Sequence, residues 1–147
     1  MGAPSFWGLS PRQSVEAECA RRGRAAVVAG CIELLAGRTA DCALVVALGG
    51  PPARWAGSAG EAAGPDYWLR VWAARGLLWA WEDAALPALV AALGDNSWRV
   101  RELAAKVVAR HGLGEALSAV SALRDDPVLR VRAAAARAVM RLTAAQA

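Results

Sequence analysis

Asp95-Asn96-Ser97-Trp98-Arg99-Val100-Arg101-Glu102-Leu103-Ala104-Ala105 and Asp126-Pro127-Val128-Leu129-Arg130-Val131-Arg132-Ala133-Ala134-Ala135-Ala136 are two copies of one pattern, 31 residues apart. Sliding the chain by the same step adds a third copy. Leu69, Val100 and Val131 then share a column, as do Arg70, Arg101 and Arg132; Ala73, Ala104 and Ala135; Ala74, Ala105 and Ala136; Arg75, Lys106 and Arg137; and Leu77, Val108 and Val139. Self-similarity at a fixed period is the signature of a repeat architecture. Shorter segments ahead of these copies align too, Leu86 with Leu117 and Leu89 with Val120. The run Ala-Leu-Val-Val-Ala-Leu-Gly at 43–49 also reads like Ala-Leu-Val-Ala-Ala-Leu-Gly at 88–94. Each unit is therefore a short helix A, a turn and a longer helix B.

Working outward, Ser10-Pro11-Arg12-Gln13 supplies an N-cap, a proline at the first helical position and a capping-box Gln, so a helix starts there and stops near Gly23. Further helices are predicted over about 24–36, 40–48, 66–81, 84–93, 97–111, 114–124 and 127–143, with Gly37, Pro87, Gly94, Gly112, Gly114 and Pro127 as punctuation. The Gly- and Pro-rich stretch 49–64 is the one long loop. Composition agrees: 37 of the 147 residues are Ala, and Ile, Phe and Tyr occur once each. The expectation is an all-α solenoid in a single domain over 1–147: a helical cap or degenerate repeat at 1–48, the loop at 49–64, and about three repeats at 65–143.

The two quoted stretches resemble the HEAT-like repeat family, in its short bacterial, phycobilisome-lyase-like type. The resemblance implies that an Asp in the turn between A and B and an Arg six residues later form a ladder between stacked repeats, and Asp95 with Arg101 and Asp126 with Arg132 stand at that spacing. The first copy departs from it, with Gly64 at the Asp position ahead of Arg70. The resemblance also implies that B helices line a concave, partner-binding face and that such modules mostly act as scaffolds.

Several chemistries are disfavoured. The apolar runs 25–36 and 68–93 are broken by Glu33 and by Arg70, Arg75, Glu82 and Asp83, so no membrane span is expected. The start Met1-Gly2-Ala3-Pro4-Ser5-Phe6 has neither a basic segment nor an apolar core segment and reads as a cytoplasmic one. Cys19, Cys31 and Cys42 form no C-x-x-C pair and are expected as core thiols, with neither metal nor cofactor implied. No phosphate-binding, nucleophile-elbow or zinc-protease motif occurs, and the single His111 sits at a helix C-terminus, where it suits the helix dipole. The expectation is a protein that is not an enzyme.

Two surface features remain. Seven Trp make up most of the aromatic residues, and four of them (Trp68, Trp72, Trp79 and Trp81) fall in the predicted helix 66–81, where one apolar seam cannot bury them all. Neighbouring helices and Trp55 of the loop could cover them, or part of an aromatic shelf could stand open. The net charge is +4, and the excess lies in 95–147, with nine bases against five acids. At about 100° per residue Arg99, Lys106 and Arg110 lie within about 40° of one another. The period carries them onto Arg130, Arg137 and Arg141 in one direction and onto Trp68, Arg75 and Trp79 in the other. These nine residues are the candidate binding site, a grid that is basic over two repeats and aromatic at its edge. The ladder residues Arg101 and Arg132 point about 160° away from it and are set aside as structural.

The function expected is an interaction module that binds an acidic protein partner on a basic concave face. The alternative is nucleic-acid binding, including a diverged relative of the HEAT-like alkylpurine DNA glycosylases, in which Trp68, Trp72 and Asp66 would be the candidates at the damaged base. A charge of only +4 on so short a chain argues against it. A chromophore-lyase-like role rests on the repeat type alone. A homodimer through the C-terminal helix is a further expectation, because Val139, Met140 and Leu142 spread over more than one face of a helix with no repeat after it.

Overall fold

The computed structural model describes residues 9–38, 42–49 and 67–144. The N-terminal start, Trp55, Gly64, Pro65 and Asp66, with the loop beyond Gly49, lie outside the described residues, as does the side chain of Cys42. Eight α-helices and no strand occur among the described residues: α1 (Pro11–Arg22), α2 (Arg24–Leu35), α3 (Cys42–Gly49), α4 (Tyr67–Gly76), α5 (Leu86–Ala92), α6 (Trp98–His111), α7 (Leu117–Ala122) and α8 (Leu129–Ala144). The protein is all-α, with the helix-pair order of a solenoid. It divides into two compact units, Met1–Ala85 and Leu86–Ala147.

In the N-terminal unit the capping box is complete. The Ser10 hydroxyl accepts from the Gln13 amide at 3.1 Å, and the Gln13 side chain accepts from the Ser10 amide at 2.9 Å. Gly23, at φ 95°, turns α1 into α2 with no intervening loop, a backbone conformation that L side chains seldom adopt. Helix α1 packs on α2 and α3, and both of these pack on α4. The buried Ser14 hydroxyl donates to the Ala47 carbonyl at 2.7 Å and ties α1 to α3. Val27, Val28, Cys31, Leu44, Leu48 and Leu77 fill the core. Burial pushes the Cys31 thiol up to about 12, with the nearby Cys19 adding to it, so Cys31 behaves as a core residue; Cys19 is half-buried.

One helix is shorter than the sequence predicts. Helix α4 stops at Gly76 instead of continuing to 81. Past that point the amides of Leu78 and Trp79 bond back only three residues, to the carbonyls of Arg75 and Gly76, and the helix tightens into turns. Gly76 is buried, and a Cβ there would stand 2.6 Å from Leu48 Cδ2 and 3.2 Å from Cys31 Sγ, so the missing side chain is what admits its neighbours. Trp79 and Trp81 therefore leave the helical register in which the sequence places them.

In the C-terminal unit α5 packs on α6, α6 along α8, and α7 on α8. Val100, Val107, Val108, Val120, Val131 and Leu89 are fully buried between them. The predicted helices 84–93 and 114–124 are shorter α-helices flanked by 3-10 turns at Asp83–Ala85, Gly114–Ala116 and Leu123–Asp125. Gly112 closes α6 in the left-handed conformation, at φ 62°.

Candidate functional site

The turns before α6 and α8 are built alike. The Asp95 carboxylate accepts from the Ser97 amide at 2.8 Å, and the Asp126 carboxylate accepts from the Val128 amide at 2.9 Å. These side chains bond the backbone two residues on, which is how an Asp starts a turn. Arg101 Nη1 donates to the Asp95 carbonyl at 2.7 Å, and Arg132 Nη1 donates to the Asp126 carbonyl at 2.8 Å, so each Arg clamps the turn that precedes its own helix. The carboxylate that Arg101 takes belongs to the next repeat. Nε reaches Asp126 Oδ2 at 2.8 Å and Nη2 reaches Oδ1 at 3.2 Å, a two-point ion pair between side chains only 14% and 5% exposed. Burial pushes the Asp126 carboxyl up, but the hydrogen bonds from Arg101 and the Val128 amide, with the charges of Arg101 and Arg132, outweigh it and hold the group below its ordinary value.

Of the six candidate basic residues in this unit, three are committed within it. The Arg99 guanidinium lies 4.6 Å from the centre of the Trp98 ring, and that of Arg130 lies 5.3 Å from it, across the repeat boundary. Arg130 Nε also donates to Glu102 Oε2 at 3.0 Å, and Lys106 Nζ stands 3.6 Å from the same oxygen. Glu102 is buried, and the column reading of the sequence passed it over. Its counterparts at the repeat period are Val71 and Ala133, so no column marks it. The signal available was its place one turn before Lys106. Arg110, Arg137 and Arg141 are exposed, and no described residue pairs with them.

The remaining candidates, Trp68, Arg75 and Trp79, belong to the N-terminal unit. Trp68 stacks on Trp72 with ring centres 6.3 Å apart and meets Tyr67 at 5.2 Å. Arg75 is half-buried and Nη2 donates to the Leu48 carbonyl at 2.8 Å, near the C-terminal end of α3, where a cation suits the helix dipole; burial holds its guanidinium below its ordinary value. Trp79 lies beyond α4, out of register with the other two.

Glu102→Gln is expected to cost about 1 kcal/mol, read by urea unfolding, because its two cationic partners are partly solvated. The same change removes one negative charge from α6 and leaves Lys106 and Arg130 without their carboxylate.

Two helix pairs joined through side chains that recur at one period define an α-helical repeat protein. A family model described as HEAT repeats matches residues 60–140, more than half of the chain, and the chain belongs to the HEAT repeat family. No curated protein and no solved structure matches it with significance. No described helix is long and apolar enough to cross a membrane.

Proposed function

We propose that the protein is a non-catalytic interaction module that docks an acidic protein segment on the basic surface of α6 and α8. Repeats of this family serve in general as interaction and scaffolding units. The observation that carries the reading is the state of Arg110, Arg137 and Arg141, three exposed cations without a partner among the described residues, beside an Arg99–Lys106–Arg130 group of which Glu102 neutralises only part. Arg137 and Arg141 lie one turn apart on α8, and Arg110 and Arg141 hold equivalent places in the repeat. Unpaired guanidinium groups recognise carboxylates in two-point geometry with little desolvation cost on their own side.

The test is the affinity of a fluorescein-labelled polyglutamate peptide, compared with a duplex and a single-stranded DNA 20-mer, over a range of salt. Arg110→Glu with Arg141→Glu is expected to weaken the peptide about tenfold or more with unchanged helicity, and the loss should shrink as salt rises. An unaffected peptide would refute the reading. Binding of DNA alone, lost in the same variant, would replace it with the nucleic-acid one.

A further inference from the structure

The outer face of α8 repeats, with no described residue covering it, the surface on which α6 receives α8. On α6 the stripe Trp98, Glu102 and Ala105 is occupied: Glu102 and Ala105 are buried, and Arg130 bonds Glu102 and lies against Trp98. One period later the stripe reads Leu129, Ala133 and Ala136, continued by Met140 at the next turn, all on one side of the helix. Leu129 is 68% exposed and Met140 70%, the two most exposed large apolar side chains among the described residues. Beside this stripe Arg132 repeats Arg101. Both clamp the carbonyl before their helix through Nη1, but where Arg101 Nε and Nη2 hold Asp126, Arg132 has no carboxylate within ion-pair distance among the described residues.

We infer that this face docks a helix pair of a separate protein, which enters with a turn aspartate on Arg132 and lays an apolar helix face with acidic flanks over Leu129, Ala136 and Met140. The turn aspartate is read from the contact the chain already makes one repeat earlier. The acidic flanks follow from charge: α8 carries Arg130, Arg132, Arg137 and Arg141 and no acidic residue, so a second copy of α8 would set arginines against arginines. The apolar stripe and Arg132 are separate from Arg110 on α6, whereas Arg137 and Arg141 at the flank belong to both surfaces.

Two experiments decide it. In the first, residues 114–144 are repeated directly after Ala144, which keeps the period and places a copy of Asp126 where Arg132 can reach it. Arg132→Ala should lower the melting temperature of this extended chain by roughly 3 °C or more beyond its effect in the unextended one, and Asp126→Asn in the appended copy should abolish that difference. No coupling between the two positions overturns the proposal. In the second, residues 114–144 carrying Arg137→Glu and Arg141→Glu are added as a labelled peptide to the full chain. Binding should weaken about tenfold with Arg132→Ala in the chain or Asp126→Asn in the peptide, and no further with both. Coupling in the extended chain without binding in trans would overturn the assignment to a separate partner. So would a dimer of the unmodified chain, seen in sedimentation and dissolved by Met140→Arg.

Discussion

Arg101→Ala is expected to lower the stability of the C-terminal unit by about 3–5 kcal/mol, which for a unit of this size corresponds to a fall of roughly 12 °C or more in melting temperature. The substitution removes two charge-assisted bonds to Asp126 and the clamp on the Asp95 carbonyl at one stroke, and it leaves Asp126 buried with the Val128 amide as its remaining hydrogen-bond donor. Arg132→Ala is the control. It removes bonds to carbonyl oxygens alone and should cost about 1 kcal/mol. The pair also sets an acid limit. Because the folded-state pKa of Asp126 is lowered, its contribution is complete above the unfolded-state value near pH 4 and is lost as pH falls through the depressed value. The advantage of the wild type over Asp126→Asn should therefore be constant at neutral pH and vanish in acid. Equal unfolding midpoints for Arg101→Ala and Arg132→Ala would refute the assignment of the ladder.

Gly76→Leu is expected to cost about 3 kcal/mol in the N-terminal unit. Its first side-chain atom already falls 2.6 Å from Leu48 Cδ2 and 3.2 Å from Cys31 Sγ, and both of those residues are fully buried, so neither can swing away into solvent. A further branched group has no space without separating α3 from α4. Gly94→Ala provides the comparison: its Cβ would meet the Ala91 carbonyl at an ordinary 3.6 Å in an exposed turn, and thermal melting should barely move. A melting curve for Gly76→Leu that matches the wild type would show that the helices are less closely held than these distances require.

The repeat was legible because stacking constrains every copy in the same way. Val100 and Val131 must both be buried, and Asp95 and Asp126 must both start a turn, so each leaves a column in the sequence. Interactions made once leave none. Glu102 gathers Lys106 and Arg130 in one copy and stands in the same column as an alanine and a valine, so a search for shared charge found the bases and missed the acid between them. The end of α4 was hidden for a different reason. A glycine inside an apolar run reads as a mild helix penalty, and only the approach of Leu48 and Cys31, residues distant in sequence, shows why no side chain fits at the position where the helix stops. The ladder spacing likewise pointed to the right residues but not to the partner: an offset of six positions within a repeat identifies the turn whose carbonyl Arg101 holds, whereas the carboxylate it binds lies 25 positions onward.

That forward reach also gives the molecule a direction in time. As the chain leaves the ribosome, α6 is complete while the carboxylate it needs is still to be made, and about half a repeat of further synthesis supplies it. Every link of this kind closes a short loop, so ordering can advance one helix pair after another without a search across the whole chain. A pause in translation with Asp126 still inside the ribosome would leave the Arg101 guanidinium exposed to whatever anion is near, and a nascent chain halted there should be more open to proteolysis at α6 than one halted after α8 has emerged.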